Sequence, residues 1–105
     1  MVSRNVTIKN AQGLHARPAT FFIQKANSYK SSIWVEKGER RVNAKSLLGV
    51  LSLAVTQGME ITLLADGADE ATALAGLADL LENGLTDLAN LGLELFVEVH
   101  VRFKK

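Results

Sequence analysis

The sequence predicts an α+β fold, an open-faced β-sandwich of order β-α-β-β-α-β-α. Three observations lead there. Apolar residues alternate with polar ones in four short segments, which is the period of half-buried strands. Apolar residues recur at helical spacing in three others. Short Gly- and Asn-bearing loops punctuate them, without any Pro/Gly/Ser-rich linker or internal repeat. Such a split βαβ order stacks three helices on one face of an antiparallel four-stranded sheet. A further C-terminal strand extends the pattern.

Taken in order, Val2 to Lys9 alternates and forms the first strand, and Asn10-Ala11-Gln12-Gly13 is a loop. A helix follows from about Ala16 to Ser28, with Ala19, Phe22, Ile23 and Ala26 on its apolar stripe. Ser32 to Lys37 and Glu39 to Asn43 form a hairpin turning near Lys37-Gly38. Ser46 is suited to N-cap a short helix running through Ala54 and closed by Gln57-Gly58. Met59 to Ala65 is the next strand, ended by Asp66-Gly67. A helix from about Asp69 to Glu82 then meets the stop signal Asn83-Gly84.

The last twenty or so residues differ. Thr86 to Gly92 reads as a helical turn or a loop. Leu93, Leu95, Val97, Val99, Val101 and Phe103 then alternate with Glu94, Phe96, Glu98, His100, Arg102 and Lys104. Residues 93–103 are therefore a fifth strand, roughly twice the usual length. Its apolar face and unpaired edge call for a sheet to join, its own or that of a second copy in a homodimer.

Composition narrows the class. With 105 residues, 48% hydrophobic and 22% charged, the chain is one small soluble domain. Only 6% of residues are aromatic, so Leu, Val, Ile and Ala must build the core. The absence of cysteine excludes disulfides, thiolate metal sites and thiol catalysis, and suits a reducing cytoplasm. The longest apolar run, Leu47 to Val55, is interrupted by Ser52 and too short to span a bilayer. Met1 to Asn5 lacks the apolar region of a signal peptide, so a cytoplasmic location without membrane insertion is expected.

Net charge is +1, yet residues 1–57 hold nine Lys/Arg against two acidic residues, and residues 58–105 hold three against nine. A dipolar distribution of this kind is either a solvated surface or a field that speeds encounters with acidic partners.

The chemistry concentrates in Gly13-Leu14-His15-Ala16-Arg17-Pro18-Ala19-Thr20. His15 falls where a strand-like segment ends and a helix begins. Helix N-termini carry unpaired N–H groups and a partial positive charge, so they hold anions. Pro18 fits a first helical turn. A phosphoryl group taken up by His15 would meet backbone donors and the Arg17 guanidinium. A lone histidine is ordinarily structural or solvated; these neighbours reverse that expectation.

This motif resembles that of HPr, the histidine-containing phosphocarrier of the bacterial phosphoenolpyruvate:sugar phosphotransferase system. A second motif, Asn43-Ala44-Lys45-Ser46-Leu47-Leu48-Gly49-Val50-Leu51-Ser52-Leu53, resembles the same family at the matching separation. The likeness covers about residues 1–85, an HPr-like domain, and leaves 86–105 as a C-terminal extension. It implies a phosphoryl carrier that works within a relay and is not a complete enzyme. His15 would accept phosphate on Nδ1 from phospho-enzyme I and pass it to sugar-specific IIA domains, with Arg17 pairing the phosphoryl oxygens. In-line transfer between two histidines depends chiefly on positioning and charge neutralisation. His15 must be neutral to offer a lone pair. No metal or other cofactor is implied.

The same resemblance implies regulation at Ser46 by an HPr kinase/phosphorylase, the modified protein acting with a catabolite-control regulator. As a bare residue, Ser46 is a helix cap. Leu47, Leu48 and Leu51 resemble the apolar patch through which the family meets its partners, although each is equally a candidate for the core. Thr20, Gln24, Asn27 and Lys45 would border that patch, with Gln24 and Asn27 standing where basic residues are common. His100, on the polar side of the last strand, has no assigned role.

Two other readings compete with the carrier. A regulatory HPr paralogue would act through Ser46 alone, but paralogues of the catabolite-repression type typically lack the histidine. An RNA-binding sheet would stack bases on exposed aromatics. Trp34, Tyr29 and four Phe do not form such a strand signature, so no nucleic-acid partner is expected.

Overall fold

The computed structural model describes residues 1–84. The strand expected at 93–103, the Thr86–Gly92 segment and His100 lie outside the described residues.

Strands β1 (Val2–Thr7), β2 (Ser32–Lys37), β3 (Arg40–Asn43) and β4 (Glu60–Asp66) form one antiparallel sheet in the order β1-β4-β2-β3. Helices α1 (Ala16–Asn27), α2 (Leu47–Ser52) and α3 (Glu70–Asp79) supply the second layer. The open-faced sandwich expected from the sequence is the one observed.

Register follows from which residues must be buried. Val6 faces Ile61 across the β1–β4 pair, and Val35 faces Leu63 across the β2–β4 pair. All four are at most 1% exposed, on the face that meets Phe22 and Ala26 of α1 and Leu77 and Ala78 of α3. A one-residue slip would turn that entire set toward solvent. On the opposite face β1 presents Ser3, Asn5 and Thr7, and Asn5 accepts a 2.8 Å bond from the Thr62 hydroxyl.

Several boundaries differ from expectation. β1 ends at Thr7, but Ile8 still donates to the Met59 carbonyl at 2.9 Å and accepts from the Gly58 N–H at 2.8 Å. The second helix stops at Ser52 instead of Ala54, because Ala54 turns to φ +51, where a right-handed helix cannot continue. The third helix is regular only to Asp79 and then widens into a π-helical turn, Leu80–Gly84. That turn keeps Leu81 in the core at 1% exposure.

Asp69 stands just before α3 but does not cap it with its side chain. Its carboxylate turns across the molecule and accepts from the backbone N–H groups of Lys30 (2.8 Å) and Ser31 (2.9 Å), and from the Ser31 hydroxyl. These bonds favour the ionised carboxylate, with the Ser31 hydroxyl first and the Lys30 amide next, and lower its pKa to about 2. The start of α3 is thereby tied to the turn between α1 and β2.

Candidate functional site

The site begins in the loop between β1 and α1. Asn10 closes it on itself: its Nδ2 donates to the Gly13 carbonyl at 2.8 Å, and its own carbonyl accepts from the Gly13 N–H at 3.2 Å. Asn10 is 8% exposed, and its Oδ1 is buried without a hydrogen-bond partner among the described residues. Gly13 adopts φ +61, and a Cβ there would sit 2.3 Å from the Val55 carbonyl oxygen. Only glycine allows the two segments to approach so closely.

The next residue uses that approach. Leu14, fully buried, donates its N–H to the Val55 carbonyl at 3.0 Å. The chain then emerges with His15 as the N-cap residue of α1, extended at φ −122 and ψ 153 and making no side-chain capping bond. The half-buried imidazole therefore stands at the head of a 12-residue helix whose first turn carries no acidic side chain. This is the electrostatic end of the helix that favours an anion.

Ala16, immediately after, has φ +49. A non-glycine residue held in the left-handed region costs about 1–2 kcal/mol. The strain is carried by the peptide adjoining the imidazole, where α1 starts. Pro18 is buried in the first turn, and Arg17 is half-buried and engaged in an interaction of its own.

The expected docking residues separate by environment. Leu48 is 82% exposed and Leu47 43% exposed on α2, whereas Leu51 is half-buried and packs against the core. Thr20 and Gln24 are exposed on α1, and the Thr20 hydroxyl donates to the Ala16 carbonyl at 3.3 Å. Asn27 is exposed and donates to the Ile23 carbonyl at 2.9 Å. Lys45 is half-buried, and its ammonium donates to the Tyr29 carbonyl at 2.8 Å, joining the approach to α2 to the end of α1.

Ser46 is the N-cap of α2, as its sequence context implies. Its Oγ accepts from the Gly49 N–H at 3.1 Å, and its own N–H donates to the Asn43 carbonyl at 3.1 Å.

The sequence reading missed Asn10, Val55 and Asp69 as supports. Asn10 left a signal, an Asn followed three residues later by Gly in a loop. Val55 and Asp69 left none, because their partners are 41 and 38 residues away.

A histidine heading one helix of an open-faced sandwich, with a serine capping the next, is the arrangement of a histidine phosphocarrier. Residues 2–83 match the family model described as "PTS HPr component phosphorylation site", and the chain belongs to this PTS-HPr family.

Among characterised relatives, it is 49% identical over 78 residues to the HPr-like protein Crh of Bacillus subtilis, spanning 74% of this chain and 92% of that protein. It is 46% identical over 81 residues to the phosphocarrier protein HPr of Neisseria meningitidis, spanning 77% and 91%. Among solved structures, HPr-C-His from Thermoanaerobacter tengcongensis superposes with a TM-score of 0.77 at 50% identity, covering 78% of this chain and 92% of that one. The similarity reaches both carriers and a Crh-type relative.

Proposed function

We propose that this protein carries a phosphoryl group on His15, taking it from phospho-enzyme I and delivering it to sugar-specific IIA domains in the cytoplasm. The observation that carries this reading is His15 at the N-cap of α1, without a side-chain capping bond and with no acidic residue in the following turn. The donor P–N bond breaks as a P–N bond to Nδ1 of neutral His15 forms. The α1 N-terminus and Arg17 then face the dianionic phosphoryl group. The exposed Leu47 and Leu48 offer the apolar contact for both partners, bordered by Thr20, Gln24 and Lys45. The basic half of the chain steers it toward acidic surfaces.

Incubation with enzyme I and phosphoenolpyruvate is expected to give an acid-labile phosphate in the wild type and none in His15→Ala. An unlabelled wild type would overturn the carrier reading.

A second reading is favoured by the 49% identity to Crh, a relative described elsewhere as the Bacillus subtilis catabolite repression HPr. In it the chain acts chiefly through phosphorylation of Ser46 by an HPr kinase/phosphorylase and docking to a catabolite-control regulator. The two readings differ in one assay. ATP-dependent, acid-stable labelling lost in Ser46→Ala, without enzyme I-dependent labelling, would establish the regulator and exclude the carrier.

A further inference from the structure

We propose that Asn10 is a positioning residue for phosphoryl transfer to His15, an inference that rests on the carrier reading of this site. It acts through one peptide unit, the one that joins Gly13 to Leu14, and needs no contact with the reacting atoms.

Both ends of that unit are held. Its carbonyl, that of Gly13, accepts from Asn10 Nδ2 at 2.8 Å, and its N–H, that of Leu14, donates to the Val55 carbonyl at 3.0 Å. A planar peptide bonded at its two ends cannot rotate without breaking one of those bonds. His15 is the next residue, so this plane sets the direction in which the chain reaches the imidazole. His15 makes no side-chain capping bond, which leaves the backbone to direct the ring.

Asn10 stands on a fixed base. Ile8 donates to the Met59 carbonyl at 2.9 Å and accepts from the Gly58 N–H at 2.8 Å. The Gln57 side-chain amide donates to the Lys9 carbonyl at 2.9 Å. Segment 55–59 therefore grips the loop both before Asn10 and after Gly13. Between those grips the chain turns at Gly13, with φ +61, and the Asn10 side chain spans the turn.

The other amide atom separates positioning from stability. Asn10 is 8% exposed, and its Oδ1 is buried without a hydrogen-bond partner among the described residues. A buried acceptor left unpaired opposes folding by at least as much as the Nδ2 bond favours it. An apolar side chain of the same shape would serve stability equally well. Holding the Gly13 carbonyl requires the amide. In-line transfer between two imidazoles depends on alignment, and a rocking Gly13–Leu14 peptide would carry the ring out of line.

The test compares the wild type with Asn10→Leu, which keeps the shape but has neither the donor nor the unpaired acceptor, and with Asn10→Ala. Asn10→Leu should melt within about 4 °C of the wild type. With enzyme I and phosphoenolpyruvate, the limiting rate of His15 labelling should fall about tenfold in both variants, while KM changes less than about twofold. That split is the reverse of the one expected for a docking residue. In the protein alone, the Leu14 amide should exchange with deuterium about tenfold faster in both variants. Unchanged Leu14 exchange would overturn the inference, as would a loss confined to Tm with a normal labelling rate per folded molecule. A labelled wild type beside unslowed variants would overturn the role of Asn10 alone. A wild type that takes no label would overturn the carrier reading and this role together.

Discussion

The N–H of Leu14 donates to the carbonyl of Val55 at 3.0 Å, fastening the residue before His15 to the segment that follows α2. The candidate phosphoryl acceptor and the helix capped by Ser46 therefore share one support. A shift at Val55 is transmitted to the head of α1 through a single hydrogen bond and the close passage of Gly13.

Gly13→Ala tests that support. The new Cβ would meet the Val55 carbonyl oxygen at 2.3 Å and the Thr56 Cα at 2.8 Å, at a φ of +61. Overpacking and left-handed strain together should cost about 2–5 kcal/mol. Urea denaturation measures the loss. Enzyme I-dependent labelling should fall even under conditions where the variant remains folded.

Ala54→Gly should work in the opposite direction. Ala54 holds φ +51, which costs an L-residue more than glycine's extra unfolded-state freedom. A stabilisation of about 0.5 kcal/mol is expected, raising Tm by about 2–4 °C in a scanning melt.

Asp69 makes stability depend on acid. Its pKa is lowered from 3.8 to about 2 when folded, so between those values the unfolded chain binds more protons. The contribution is complete above about pH 4 and disappears as pH falls through about 2. Ser31→Ala removes the largest cause of the shift, and should move the Asp69 titration upward when followed by carboxyl carbon NMR. The melting temperature of the variant should vary less between pH 4 and pH 2 than that of the wild type.

Ser46 joins the cap of α2 to the regulation proposed for this chain. Ser46→Ala leaves the Gly49 N–H without its cap and should cost about 1 kcal/mol in thermal unfolding. Ser46→Asp can keep a cap while adding negative charge beside the proposed docking surface. It is expected to slow enzyme I-dependent labelling on the order of tenfold, about 1.4 kcal/mol of docking energy.

Leu48 and Phe22 should separate docking from folding. Leu48 is 82% exposed and Phe22 fully buried. Leu48→Ala should leave Tm nearly unchanged and raise the KM for transfer from enzyme I. Phe22→Ala should lose about 3–5 kcal/mol of stability.

Much of this molecule was legible in its sequence because the deciding interactions are short in range. Alternation placed the four strands of the described residues to within a residue or two. The Ser46 cap acts three residues away, and His15 heads a helix whose amphipathic stripe follows it directly. Where local reading failed, a distant partner had intervened. Ala54 leaves the helical region after α2, and Lys37 donates to the Leu53 carbonyl there at 2.7 Å from 16 residues away. Asp69 abandons its own helix for Ser31.

By itself, then, the sequence determined the elements of the described residues, their faces and the place of His15 at the head of α1. Only the tertiary structure decided the order β1-β4-β2-β3, the Leu14–Val55 tie and the left-handed backbone at Ala16. Periodicity and caps act within a turn or a strand, so they can be read one segment at a time. Strand order and backbone strain instead emerge when every segment buries its apolar face at once, and no single segment carries that information.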